Sequence, residues 1–585
     1  MTTQISMTGR GLRGRPGPAS GPLGNDTVTA DHLKDALGER QAMLAKLAGD
    51  ASSAGYIGTT DGPLQDVLDN QGPYLLSRGF LDDDDTNEQN DEVEDFLALA
   101  KLRGKVPMLC DNIVITRTIL TWTTIAIHPD ATIRYDGPDG SNAGAGKLAF
   151  FEPQVDGIGL TVPVVAGRAQ FVSTKVFIYA WRTKKNRTFL VNVNALGCNL
   201  AITSWDLGWS TANTDPVLGN VVRGLSIIGG DARYGTQQTG SQSGAQIALF
   251  FCFDVEITGT RLEKGSQNIQ WWGGNSAPAA EGAEANERKC GDFLIRGVRC
   301  YGAGGGNVWG SMGRNIRVEH CYGEFAIDLC FDAEGCWDVT FSRCVARYGK
   351  NACFATFHFN KAIKFYKCEG TSAPGYGDLF KIWNASLSAS NREVTIDGGR
   401  FEWEGVDTYA QIGTMAGPVE AITVINALFV NVRASMGQDG GSESGRKTAA
   451  ITIKGNEFRY TYLAAAAFSA IWARAYQSSA RTAATDISDN RFITLSGQPT
   501  GTAAVHINGG ANFGGTAIAI VERNYFEGWA TIVDVTTDAT SSVGLITDVS
   551  DNISRGTAAI TESNAGAISY TFTKNRNRTV ANAAI

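Results

Sequence analysis

The chain has 585 residues with 69 glycines, 15 prolines and 43% hydrophobic residues, a balance that suits a folded protein rich in tight turns and excludes collagen-like or low-complexity architectures. Its formal net charge of -8 argues against a phosphate-binding surface, which needs clustered Lys and Arg. Eleven cysteines without a CxxC pair leave no zinc motif; no metal or cofactor is expected, and an odd count among hydrophobic segments reads as buried free thiols made in a reducing compartment.

In chain order, residues 1–55 read as an attachment and trimerising segment. Met1 to Gly24 is polar and basic, without the apolar run of a secretory signal. Gly11, Gly14 and Gly17 recur every third residue and favour polyproline II, which can line up three chains. Thr29 to Leu47 places Leu33, Ala36, Leu37, Leu44 and Leu47 on one helical face, a stripe too narrow to stand alone, so self-association is expected.

Residues 56–110 read as a neck: a short helix around Gly62 to Leu68, an acidic run from Asp82 to Asp85, and then a stronger helix. Asp91 is expected to cap that helix with Glu94 in the capping-box position, while Val93, Phe96, Leu97 and Ala100 form its buried face. Gly104 ends it, and the hydrophobic period switches to two in Val106 to Leu109 and Ile113 to Ile115.

Residues 111–540 then read as one solenoid, with 541–585 as C-terminal coils and tail. Alternating strands such as Asn315 to Val318, Asp338 to Phe341 and Ala362 to Phe365 each precede a turn residue. Cys300, Cys321, Cys344 and Cys368 lie 21, 23 and 24 residues apart; Asn456, Asn490, Asn524, Asn552 and Asn575 lie 34, 34, 28 and 23 apart. Such periods with short strands and no helices predict a mainly β fold, a right-handed parallel β-helix in which small Cys stack inward and Asn at bends ladder their amides. A β-sandwich is the competing class.

Arg78, Gly79 and Phe80, the acidic run, the helix from Glu92 to Leu102 and the following Gly104 to Leu109 resemble the entry to bacteriophage tailspikes and related pectate-lyase-like proteins, in which a helix caps the first coil. The resemblance implies a homotrimer, attachment to a phage tail or baseplate protein through residues 1–55, and recognition of a bacterial surface polysaccharide by the coils. It places the protein on the virion, made in the host cytoplasm and acting extracellularly; the charge argues against a nucleic-acid partner, and without a run of about 18 apolar residues no membrane insertion is expected. It supplies no catalytic residue, because those vary within the family.

The site candidates come from spacing. Alternation through Ala326 to Gly335 puts Ile327, Leu329, Phe331 and Ala333 on one face and Asp328, Cys330, Asp332 and Glu334 on the other. Same-face acids about 7 Å apart repel one another, which raises a carboxyl pKa and suits a glycosidase pair; the plain alternative is a solvated acidic edge. Glu334 is expected as the acid and Asp332 as the base. One coil period brings Trp309 under Asp332 and the next brings His358 beside Glu334. Trp272, one of a Trp271–Trp272 pair of which one member must point inward, and Lys381 are further substrate-binding candidates, and Glu402 with Glu404 is the second-choice carboxylate pair. Endo-glycosidic hydrolysis is the leading expectation; a lyase using His358 and Lys381, or a non-catalytic adhesin, are the alternatives.

Overall fold

The computed structural model describes residues 73–77, 88–141, 146–164, 166–204, 221–235, 244–274, 289–383, 391–405, 410–416, 419–436, 448–461, 469–475, 484–494, 503–509, 515–537, 543–555, 559–564, 571–573 and 578–580. The readings of residues 1–55, of the Gly62 to Leu68 helix, of Arg78 to Phe80, of the acidic run and of Asn575 lie outside them. The chain divides into two compact units, Met1–Gly58 and Thr59–Ile585; all that follows concerns the second.

Each turn of the chain contributes one strand to each of three parallel sheets. In one coil Leu329–Glu334 lies in the third sheet, Trp337–Ser342 in the first and Val345–Arg347 in the second. The next coil repeats them as Ala352–Phe357, Lys361–Tyr366 and Glu369–Ser372, paired in parallel with the coil before. This stacking runs from Tyr74–Leu76 to Arg578–Val580, so the fold is a parallel β-helix. Parallel sheets need both faces covered. Inward side chains from all three sheets meet in one continuous apolar core.

The core is ordered by identity as well as by hydrophobicity. Phe401, Phe429, Phe458, Phe492 and Phe526 stack along the axis with ring centroids 4.9 to 5.5 Å apart, the spacing that strand pairing imposes. At the bend between the first and second sheets, one position is Cys321, Cys344 and Cys368 in three successive coils, then Gly399 and Ala427, then Asn456, Asn490, Asn524 and Asn552. The described asparagines form a ladder. The Oδ1 of Asn490, Asn524 and Asn552 each accepts from the backbone N–H and the Nδ2 of the asparagine one coil earlier, at 2.9 to 3.1 Å, Asn456 Oδ1 accepts from Ala427 N–H at 2.9 Å, and each of the donating Nδ2 groups also donates to a core carbonyl at 2.8 Å. Four amides thereby satisfy buried polar groups that the tight bend would otherwise orphan.

Cys300 does not belong to this column. It lies inside the second-sheet strand Arg299–Tyr301 and pairs with Gly323, so only the 23 and 24 spacings measure a coil. All eleven cysteines are free, and ten are buried.

The helical entry is present as α1 (Asn90–Leu102), whose Val93, Phe96, Leu97 and Ala100 join the core of the first coils. Its cap differs from expectation. Gln89 occupies the N-cap without a side-chain cap bond, and Asp91 and Glu94 instead both bind Arg117, at 2.8 and 2.5 Å. A guanidinium two strands away competes better for these carboxylates than the helix amides do.

Candidate functional site

The third sheet carries the candidate residues on its outer face. Val308 pairs with Phe331 and Ser311 with Glu334, which sets Trp309 beside Asp332 as the 23-residue period predicts. Onward, Asp332 pairs with Ala355 and Ala355 with Lys381; in the next column Trp272, Ser311, Glu334, Phe357 and Trp383 follow one another. Phe331 and Ala333 point into the core between them.

The expected alternation fails nearer the strand start. Cys330 is in the core beside Phe331, while Leu329 packs on the outer face with Ala352, Ala355 and Phe357. Ile327 is 63% exposed. Strand pairing starts only at Leu329, so residues 326–328 belong to a turn and a period of two does not govern them.

Asp332 is completely buried, and no group meets hydrogen-bonding geometry with either of its oxygens. Burial, then the charges of Glu334 and Asp328, push its carboxyl well above the usual carboxylate range, against the Ala333 amide. The Glu334 carboxyl is near enough to affect this titration without forming a proper hydrogen bond; the two are neighbours that disfavour joint ionisation. Glu334 is half-buried and accepts a 2.6 Å hydrogen bond from Ser311 Oγ. Of the two carboxyls, Asp332 is the one whose surroundings favour the protonated form.

Around this pair the residues are ordered by close packing. Trp309 donates from Nε1 to Gln267 Oε1 at 2.8 Å, and Gly306 lies so close that a Cβ there would stand 2.6 Å from the indole. Trp271 is in the core and Trp272 on the outer face, as the pair requires. A polar chain runs from the exposed Asp328, whose Oδ1 accepts from Asn351 Nδ2 at 2.9 Å, to Lys381, whose Nζ donates to Asn351 Oδ1. Asp378, raised by burial and eased by Lys381, closes it.

His358 does not stand beside Glu334. The partner of Glu334 is Phe357, and His358 is one of two consecutive left-handed residues, with φ of 45° at His358 and 44° at Phe359. They form a bulge that turns a 23-residue step into a 24-residue one, stitched by Asn360 Nδ2 to the carbonyls of Ala333 and Phe357. The imidazole lies against Trp383, and burial lowers its pKa to about 4.

Glu402 and Glu404 do not join Asp332 and Glu334. Glu402 lies on the second sheet and is bound by Arg400 at 2.8 Å, and Glu404 accepts from Tyr348 Oη at 3.0 Å.

Three features escaped the sequence reading. Ser311 and Asn351 are polar fixtures of the cluster. Phe325, Tyr348 and Tyr376 come from successive turns between the second and third sheets and form one aromatic group, with centroids 5.2 to 6.1 Å apart. Phe325 and Tyr376 are 46% and 38% exposed, beside Asp328 in sequence and coil. The third lies farther along the sheet: Trp472, His506, Asp534 and Thr536 share its outer face. Their spacings, 34 from Trp472 to His506 and 28 from His506 to Asp534, are those of the asparagine ladder and were readable there. Among the described residues, no group of three or more His, Cys, Asp or Glu is placed to hold a metal ion.

No protein-family model and no curated protein matches the chain. Solved structures with a similar arrangement include the Streptococcus pneumoniae surface protein and adhesin PfbA, at 9% identity and a TM-score of 0.31 over 85% of this chain and 99% of that one. The A-module of the Azotobacter vinelandii mannuronan C-5 epimerase AlgE6 matches at 10% identity and a TM-score of 0.26, over 86% and 99% of the two chains. The Dettilon tailspike protein matches at 12% identity and a TM-score of 0.21, over 88% and 74%. At these values they assign no activity, and the parallel β-helix rests on the chain's own strand registers.

Proposed function

We propose that this chain is a homotrimeric phage tailspike that binds a bacterial surface polysaccharide, whether capsule, exopolysaccharide or O-antigen, along the outer face of its third sheet and cleaves it by endo-glycosidic hydrolysis. The observation that carries this reading is a completely buried carboxyl without a hydrogen-bond partner, Asp332, two residues from the half-buried Glu334 on an outer face that also carries Trp309 and Trp272. Asp332 protonates the glycosidic oxygen, and Glu334, positioned by Ser311, activates water or attacks the sugar. Indole faces take the apolar C–H face of a pyranose ring, and the exposed Phe325 and Tyr376, with the half-buried Tyr348 between them, extend that surface. Trimerisation and attachment through residues 1–55 rest on the sequence resemblance.

Hydrolysis is favoured over lyase chemistry by His358, a weak base at a pKa of about 4 held inside a bulge, and by Lys381, engaged with Asn351. The full burial of Asp332 favours a second reading, an adhesin that holds the glycan uncut. Incubating host polysaccharide with the protein separates the two: release of reducing ends that is lost in Glu334→Gln and Asp332→Asn supports hydrolysis, unsaturated products indicate a lyase, and unshortened but bound polymer indicates an adhesin. Sedimentation at a trimer mass checks the assembly.

A further inference from the structure

The outer row that contains Asp332 continues, one residue per coil, through Ala355, Lys381, Gly413, Ser435, Trp472 and His506 to Asp534. Seven steps at about 4.8 Å put Asp534 roughly 34 Å along the axis from Asp332. There His506 Nδ1 lies 3.1 Å from Asp534 Oδ2, and His506 Nε2 lies 3.1 Å from Thr536 Oγ1. An ionised Asp534 only accepts, so the imidazole proton sits on Nδ1. The lone pair at Nε2 then leaves Thr536 as the donor. Trp472 stacks on the imidazole with an interplanar angle of 4° and fixes its plane. The side chains of His506 and Asp534 are 19% and 22% exposed, so the group is partly open to solvent.

We propose that Thr536, His506 and Asp534 form a second reactive site, a nucleophile, base and orienting acid that remove O-acyl groups from sugar hydroxyls. The arrangement is that of a hydroxyl activated by an oriented imidazole, which is recognised by geometry and roles rather than by position in a chain. Thr536 Oγ1 adds to the ester carbonyl while its proton passes to His506 Nε2. The bond from the carbonyl carbon to the sugar oxygen breaks, and that oxygen leaves with the proton. Water then attacks the acyl-threonine, its proton passing through His506 to restore the Thr536 hydroxyl, and a carboxylic acid is released. Asp534 stays ionised throughout. The identity of the substrate rests on the glycan reading above; the chemistry does not.

The test uses the full chain with 4-nitrophenyl acetate and a fluorophosphonate probe, neither of which contains a sugar, so the result stands whether or not the protein binds glycan. Expected are one covalent adduct, mapped to Thr536 by peptide mass spectrometry, and ester turnover that falls about 100-fold or more in the near-isosteric Thr536→Val and in His506→Gln. Thr536→Ser should keep turnover within about tenfold, because serine presents the same nucleophile. A wild-type protein left unlabelled at Thr536, or a folded Thr536→Val with wild-type turnover, overturns the proposal. Acetate release from an O-acetylated host polysaccharide then tests the substrate class: release lost in Thr536→Val supports it, and intact acetyl groups in the presence of an active ester site overturn it.

Discussion

Two clusters occupy one row of the third sheet, and each begins with a tryptophan. After Trp309 the next coil supplies Asp332, fully buried and lacking a hydrogen-bond partner; after Trp472 the next coils supply His506 and Asp534, bonded to one another and partly open. The backbone is the same in both places, so the difference lies in what each carboxyl meets. Buried beside a second carboxyl, Asp332 has its pKa pushed up. Against an imidazole, Asp534 has a donor to accept from. One repeated geometry can therefore host a proton donor at one level and a base at another, set by a single neighbour.

The largest effect that would break this comparison is on depolymerisation. Glu334→Gln should lower the release of reducing ends about 1,000-fold or more while the mass in solution is unchanged; surviving activity would show that the first cluster is not catalytic. Trp309→Ala should raise KM for the polysaccharide about tenfold with a smaller change in kcat, as expected for a lost stacking face. A KM unchanged within error would remove the tryptophan from the binding surface.

The acid role can be sharpened through pH. Because the folded pKa of Asp332 is raised, its proton is lost only as pH rises through that raised value, so kcat should fall along an alkaline limb and stability should drop over the same range, starting from the ordinary carboxylate pKa. Asp332→Asn removes the proton uptake that folding otherwise requires above the ordinary carboxylate pKa and should raise Tm above pH 7 by about 1–2 °C with no gain at pH 4. A uniform shift at both pH values would mean that packing, not ionisation, is responsible. The smallest effect concerns His358. Its folded pKa of about 4 lies below the usual value near 6.5, so the unfolded chain binds an extra proton between those values and stability falls as pH drops through that window. His358→Gln should flatten this part of the Tm profile, and an unaltered slope would show that His358 is not its source.

The repeating parts were legible in the sequence because a solenoid writes its geometry into spacing: the Cys321, Cys344 and Cys368 steps, the asparagine steps from Asn456 to Asn552 and the Trp309 to Asp332 register match observed pairings. What failed did so at interruptions. The bulge at His358 and Phe359 adds one residue, and counting through it misplaces the imidazole. Residues 326–328 lie in a turn, so alternation misassigned Leu329 and Cys330. Cys300 shares a residue type with the thiol column but not its position. That Asp332 is fully buried while Glu334 is only half-buried was beyond sequence, because it depends on how the outer residues pack, and Thr536 is invisible until register places it near His506.

The asparagine bend has a bearing on how such a chain changes over evolutionary time. Successive coils there differ in length by six residues, 34 against 28, yet each returns to the same hydrogen-bonded point. The bend resets the count once per coil, so a segment added or deleted in one loop does not propagate its offset into the coils beyond. Loops that border the outer face are thereby free to diverge in length and composition while the scaffold beneath them keeps its place. A laboratory graft of a foreign loop between two laddered asparagines draws on the same tolerance.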